Sequence, residues 1–201
     1  TLTTADGIEL NGYMVKPADF DATKKYPVIM FQYSGPGSQQ VQDTWWIGNG
    51  GAALLERYMA QEGFIAVIVD GSGTGGRGAD FEKQTYLKLG QLESHDQAEA
   101  ALWLAKQPYV DAKHIGIWGW SFGGFNTLMS MSEGRGVFYA GVAVAPPTSW
   151  RYYDTIYTER YMRTPKENAA GYKASAPLDN VANQKGKLLI MFGSADDNVH
   201  I

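Results

Sequence analysis

The chain has no cysteine, which excludes disulfides and cysteine–zinc sites within it. The absence does not fix a compartment, because a reduced cytosol and a cysteine-poor periplasm leave the same mark. No apolar run approaches the roughly 18–20 residues that a membrane-spanning helix needs. No dense Lys/Arg run is present, and the formal net charge is −4, so nothing recommends nucleic acid as a partner. The opening Thr1-Leu2-Thr3-Thr4 lacks the basic and apolar regions of a signal peptide. There is no initiator Met, and the last residues form a polar motif directly behind an apolar run; the expectation is an excised piece of a longer protein. Charged residues are few, 19% against 44% hydrophobic, which is the profile of a globular domain and not of a disordered segment. At 201 residues the chain can bury the core of one domain and scarcely that of two.

Short apolar runs alternate with helical patterns. Residues 8–15 alternate with period two, as a half-buried antiparallel strand does. Residues 26–33, 64–69, 115–118, 137–144 and 188–192 are continuously rich in Val, Ile, Leu and Phe, which predicts strands covered on both faces of a parallel sheet. Residues 52–61, 94–106 and 122–132 read as amphipathic helices, with Ser94 and Gln97 as a capping box for the second. This order predicts an α/β sheet with right-handed crossovers. Residues 150–180 break the pattern: they are rich in tyrosine and polar residues and contain no clear strand, as expected of an insertion over the top of the sheet.

Gly119-Trp120-Ser121-Phe122-Gly123 fits G-x-S-x-G, and it lies between a predicted strand and a predicted helix. The context matters more than the pentapeptide, because with 24 glycines a bare match arises by accident. In this arrangement the serine occupies a strained strand-to-helix turn, and glycines two positions either side remove side chains that would collide with neighbours. The hydroxyl then stands clear of the sheet, and the helix directs its first amides at a developing oxyanion.

A serine needs a base, and the base an orienting carboxylate, in the chain order Ser, Asp/Glu, His. The strand at 188–192 is followed by Gly193-Ser194-Ala195-Asp196-Asp197-Asn198, so Asp196 or Asp197 is the candidate acid; a solvated loop pair is the plain alternative. The base is harder to place. His95 and His114 both precede Ser121, the first in a predicted helix and the second in the loop before the nucleophile strand. His200 follows Asp196 by four residues, whereas the base normally arrives on a separate loop. The expectation is a base supplied by sequence outside the chain.

Separated motifs then coincide with one family. Tyr33-Ser34-Gly35-Pro36, Gly119 to Gly124, Val144-Ala145-Pro146, Trp150-Arg151-Tyr152-Tyr153-Asp154, Tyr157 to Tyr161 and Ala195 to His200 together resemble the prolyl oligopeptidase family of serine peptidases, in its dipeptidyl peptidase IV branch. The resemblance implies an α/β-hydrolase fold, a mostly parallel sheet with helices on both faces, over residues 1–201 of an incomplete catalytic domain. The catalytic histidine and an N-terminal β-propeller would lie outside it. It implies Ser121 as nucleophile, Asp196 as the acid, and Tyr33 with the Phe122 N–H as the oxyanion hole. Trp150, Tyr153, Tyr157 and Val199, with Phe122, would form the pocket for a penultimate proline, and Asn198 would bond a substrate carbonyl. It also implies peptide substrates, no cofactor or metal, and a periplasmic or otherwise extracytoplasmic location. Three positions depart from the branch: Phe122 where Tyr is frequent, Pro147 where an aliphatic residue is frequent, and Ser72 in place of an arginine. Read without the family, Trp150, Tyr152, Tyr153, Tyr157 and Tyr161 are either core packing or a flat-walled pocket for a rigid ring, with Tyr153, Tyr157 and Tyr161 spaced for one helix face.

Two other readings are weaker. Gly71-Ser72-Gly73-Thr74-Gly75-Gly76 satisfies G-x-G-x-x-G after a strand, but a dinucleotide fold needs a helix opening at the glycines and an acid ending the next strand. Here Arg77-Gly78-Ala79-Asp80 is a poor helix start, and Asp96 falls inside a helix. An esterase usually builds its oxyanion hole from a glycine-rich backbone loop, which Tyr33 replaces. A strand left unprotected at the sheet edge predicts self-association of the chain.

Overall fold

The structure, a computed structural model, describes residues 1–44 and 51–201. Its strands are β1 (Leu2–Thr3), β2 (Glu9–Val15), β3 (Tyr26–Phe31), β4 (Ile65–Asp70), β5 (Val110–Trp120), β6 (Ala140–Val144) and β7 (Lys187–Met191). Its helices are α1 (Gly51–Gln61), α2 (Ala79–Glu82), α3 (Gln91–Ala105), α4 (Phe122–Ser132), α5 (Thr155–Met162), α6 (Ala169–Ala174) and α7 (Pro177–Asn180). The seven strands form one sheet in the order β1-β2-β4-β3-β5-β6-β7. β2 pairs antiparallel with β1 and β4, while β4, β3, β5, β6 and β7 run parallel.

Side-chain alternation assigns the two faces. Val28, Met30, Val67, Val69, Ile115 and Ile117 pack with Ala98, Ala101 and Leu104 of α3. Residues of opposite parity, Phe31 and Ile68, pack with Ala52 of α1. Helices therefore cover both faces, and the sheet between them is the apolar layer expected from the continuous strand runs.

Three local expectations are corrected. α3 begins at Gln91, not Ser94, and its capping pair is Gly90 and Glu93: Glu93 Oε2 accepts the Gly90 N–H at 2.9 Å. Gly90 takes φ 83, open to glycine at little cost, and the chain turns into the helix three residues earlier than the Ser94 signal suggested. α3 is not amphipathic in the usual sense either. Its buried side includes Asp96 and Gln97, which bond the Ser72 N–H at 2.6 Å and the Val69 carbonyl at 2.9 Å. Finally, His114 lies within β5, because that strand starts at Val110 with an exposed polar stretch that disguises it as a loop. Residues 150–180 contain no strand and hold α5, α6 and α7.

Candidate active site

Ser121 alone joins β5 to α4, with φ 54 and ψ −121. A non-glycine residue held there stores about 1–3 kcal/mol of strain, so its surroundings must impose the conformation. The Ser121 N–H donates to the Val144 carbonyl at 2.9 Å, and its own carbonyl accepts from the Phe125 N–H at 3.0 Å. Close backbone contacts do the rest. A Cβ on Gly119 would stand 2.4 Å from the Gln32 oxygen; one on Gly123 would stand 2.4 Å from the same atom and 3.1 Å from Tyr33 Cα. One on Gly124 would lie 2.6 Å from the Val144 oxygen. The glycines thus let the turn close onto the ends of β3 and β6. Ser121 is half-buried and its hydroxyl does not cap α4. As the first residue of α4, Phe122 has an N–H without an intrahelical acceptor.

Tyr33 lies just past the end of β3, beside this turn. Its half-buried ring stands edge-on to Trp120 at 6.3 Å between centroids. The next residues, Ser34 (φ 57) and Gly35 (φ 83), reverse the chain. A Cβ on Gly35 would sit 3.0 Å from the Phe122 ring, so the loop folds directly over Phe122. Tyr33 therefore shares one patch with Ser121 and the start of α4.

The aromatic residues continue that patch. Trp150 is 2% exposed and sits 5.7 Å from Phe122, 4.8 Å from Phe125, 5.8 Å from Tyr153 and 5.7 Å from Tyr157. Tyr153 and Tyr157 meet edge to face at 5.7 Å, and Tyr161 extends the row. Tyr152 does not join; it is 79% exposed. Tyr153 precedes α5, so the row is not one helix face: Asp154 caps the helix by accepting the Tyr157 N–H at 2.7 Å. Burial pushes the Tyr157 phenol well above its ordinary range, with Tyr161 and Tyr33 adding to the shift. Burial, then Asp154, raises Tyr153. The rings are neutral and form an apolar wall.

The loop after β7 closes the other side. Asp196 Oδ1 accepts the Val199 and Asn198 N–H groups, each at 3.0 Å, and these hold its carboxyl below the usual range. Asp197 is exposed. The Tyr153 hydroxyl donates to Asn198 Oδ1 at 2.8 Å, which ties this loop to the aromatic wall. Val199 and His200 face Pro146, Pro147 and Tyr153 across a cleft of about 380 Å³. The Ala145 N–H donates to the Met191 carbonyl at 2.7 Å. With the Ser121–Val144 bond, this links the ends of β5, β6 and β7.

Two histidines stand elsewhere. His114 bonds Asp111 at 2.7 Å, about 20 Å back along β5 from Ser121 at the rise of an extended strand. His95 bonds Asp6 at 2.7 Å, near Arg135 beyond the far end of α4. The glycine-rich loop after β4 opens no helix within residues 71–76, only the four-residue α2 beginning at Ala79; the Ser72 N–H is taken by Asp96, and the Gly75 N–H donates to the Ser38 carbonyl at 2.8 Å. It braces the loop that carries Tyr33. Residues that the sequence reading did not single out are Phe125, which completes the wall, and the buried polar side chains of Gln32 and Asn126; Ser34, named only as part of a motif, joins them. Their signal was a lone amide in an apolar strand and another in an apolar helix.

Sheet order and the serine turn define a domain with the α/β-hydrolase fold. Comparison with known proteins narrows this. The model of the prolyl oligopeptidase family matches residues 54–201. The chain is 47% identical over 201 residues to a Trichophyton verrucosum protein named "Probable dipeptidyl-aminopeptidase B", covering 98% of the chain and 22% of that relative. It is 49% identical over 198 residues to the like-named Chaetomium globosum protein, covering 97% of the chain and 21% of the relative. Dipeptidyl peptidase 4 of Porphyromonas gingivalis superposes with a TM-score of 0.93 at 55% identity, over 98% of the chain and 27% of that structure. The chain belongs to the prolyl oligopeptidase family of serine peptidases. It spans only about a fifth of the length of these curated relatives.

Proposed function

We propose that the chain supplies the nucleophile, oxyanion hole and acid of a longer serine exopeptidase that releases Xaa-Pro dipeptides from peptide N-termini. The observation that carries this reading is the packing of the strained Ser121 turn against Tyr33 on one side and the Phe122–Trp150–Tyr153–Tyr157 wall on the other. A rigid pyrrolidine ring fits flat aromatic walls, and a proline lodged there presents its carbonyl to Ser121.

In the proposed reaction Ser121 Oγ attacks that carbonyl carbon while a histidine takes the hydroxyl proton. Tyr33 and the Phe122 N–H donate to the oxyanion, the C–N bond breaks, and the histidine returns the proton to the departing amine. Water, deprotonated by the same histidine, then hydrolyses the acyl-enzyme. Asp196, whose carboxyl is held below its usual range, lies in the loop after β7, two strands across the sheet from β5, which leads into Ser121; it is read as the acid that orients the imidazole. With His95 and His114 engaged elsewhere, and His200 only four residues past Asp196 in the same loop where the base normally arrives on a separate one, the base is read as coming from residues outside this chain, and the chain alone as inactive. Residues that hold the substrate's free amine, and hence dipeptidyl specificity, belong to a β-propeller outside it as well. The location that goes with this reading is periplasmic or otherwise extracytoplasmic.

The test is turnover by the full-length enzyme of glycyl-prolyl anilide against a simple ester. Preference for the dipeptide anilide, lost on blocking its amine, is expected. Preference for the ester would overturn the peptidase reading.

A further inference from the structure

Both neighbours of Tyr33 are buried polar residues. Gln32 is 0% and Ser34 2% exposed, and a buried amide in a sheet core is retained only if it is bonded. Gln32 Nε2 donates to the Gly123 carbonyl at 2.6 Å and to Thr127 Oγ1 at 3.1 Å. Its Oε1 accepts from Ser34 Oγ at 2.9 Å and from Asn126 Nδ2 at 3.1 Å. Asn126 Nδ2 also reaches Ser34 Oγ at 3.2 Å. Gly123, Asn126 and Thr127 belong to the opening turns of α4, the helix that starts beside Ser121.

This network clamps the residues before and after Tyr33 to the helix that carries the nucleophile turn. It also secures Ser34 at φ 57, a left-handed conformation that a serine does not favour unaided. Asn126 contributes as a donor only; its Oδ1 is buried without a partner among the described residues. A helix position that leaves an acceptor unsatisfied is poorly suited to stability alone. Gln32 and Asn126 are both fully buried, so neither can touch a substrate.

We propose that Gln32, Ser34 and Asn126 are positioning residues that fix the Tyr33 hydroxyl relative to Ser121 and so set the rate of acyl transfer. The inference rests on the reading of Tyr33 as an oxyanion donor. Such a donor must lie within about 2.7–3.1 Å of the developing charge, and a misplacement of about 1 Å costs roughly 10²-fold in rate.

The test uses the full-length enzyme with glycyl-prolyl p-nitroanilide, and compares Gln32→Leu, Ser34→Ala and Tyr33→Phe with the doubles that combine Tyr33→Phe with each of the first two. Gln32→Leu is expected to lower kcat by about 10- to 100-fold with KM changed less than about twofold. In the Tyr33→Phe background the same change should cost less than about twofold, because a network acting through the phenol has nothing left to position. Ser34→Ala should behave likewise with a smaller loss, and it decides the matter if Gln32→Leu does not fold. An unchanged kcat in folded Gln32→Leu or Ser34→Ala, or a loss that is undiminished in the Tyr33→Phe background, overturns the proposal. Tyr33→Phe alone reports on the oxyanion reading: if it leaves kcat intact, that reading fails and takes this inference with it.

Discussion

Replacing Gly123 by alanine sets two physical effects against each other. Within a helix, alanine is favoured over glycine by about 1 kcal/mol, so propensity alone predicts a more stable protein. The added methyl, however, would lie 2.4 Å from the Gln32 oxygen and 3.1 Å from Tyr33 Cα. The first is about 1 Å inside ordinary contact, and both obstacles are backbone, which cannot swing aside as a flexible side chain can. Overpacking of this kind costs about 1–3 kcal/mol, here at the upper end. The net expectation is a loss of about 1–2 kcal/mol, or roughly 2–8 °C in Tm for a domain of this size. The displacement falls between Tyr33 and the start of α4, so kcat should fall by about 10²-fold as well. Thermal unfolding by circular dichroism and steady-state turnover by the full-length enzyme read the two effects. Gly116→Ala is the control: its nearest atom would be 3.5 Å away, so little change is expected. A Gly123→Ala protein that is more stable than its parent and fully active would refute the close-packing argument.

Other expectations concern buried groups and exposed edges. Glu93 is wholly buried, and burial pushes its carboxyl up to about 8 from 4.5. The native state therefore keeps a proton that the unfolded chain has released, and stability present below about pH 4.5 is lost as pH rises toward 8, by up to about 1.4 kcal/mol per unit. Glu93→Gln should flatten that decline in urea unfolding at pH 5, 6.5 and 8; an unchanged slope contradicts the assignment. Tyr153→Phe removes the bond to Asn198 and should raise KM for Xaa-Pro anilides by about 2- to 10-fold, the range of one hydrogen bond, whereas an unaltered KM would dismiss the tie between wall and loop. At the β7 edge Leu189, Ile190, Met191 and Phe192 are 46–58% exposed, so the 201-residue chain should self-associate in sedimentation experiments and Ile190→Lys should weaken the association. A monomeric parent chain would count against it.

The sheet was legible because its strands read as unbroken apolar runs, and β3, β4, β6 and β7 fall within a few residues of expectation; the expected cover on both faces fails at β7, which lies at the sheet edge and is mostly exposed. β5 was read short because Ala112, Lys113 and His114 near its start are exposed and, with Asp111, look like a loop. The start of α3 was misread because the true cap is a glycine backbone bonded by a buried glutamate, and no propensity rule anticipates a buried Glu93. Polar residues caused the remaining gaps. Asp96, Gln97 and Gln32 face the core and bond backbone groups distant in sequence, Asn126 bonds the side chains of Gln32 and Ser34, and only three-dimensional structure reveals such pairings. Around the site, the Ser121 turn announces itself through local sterics, and the tyrosines through their density. The link between Tyr33 and α4 does not, since its members lie 91 to 95 residues apart.

The most direct measurement is to treat the full-length enzyme with a fluorophosphonate probe and locate the adduct by mass spectrometry. A serine held in the strained β5–α4 turn beside Tyr33 and the first amide of α4 should be labelled at Ser121 alone, with activity lost in step. Labelling at another serine, or full activity with Ser121 modified, would contradict the account.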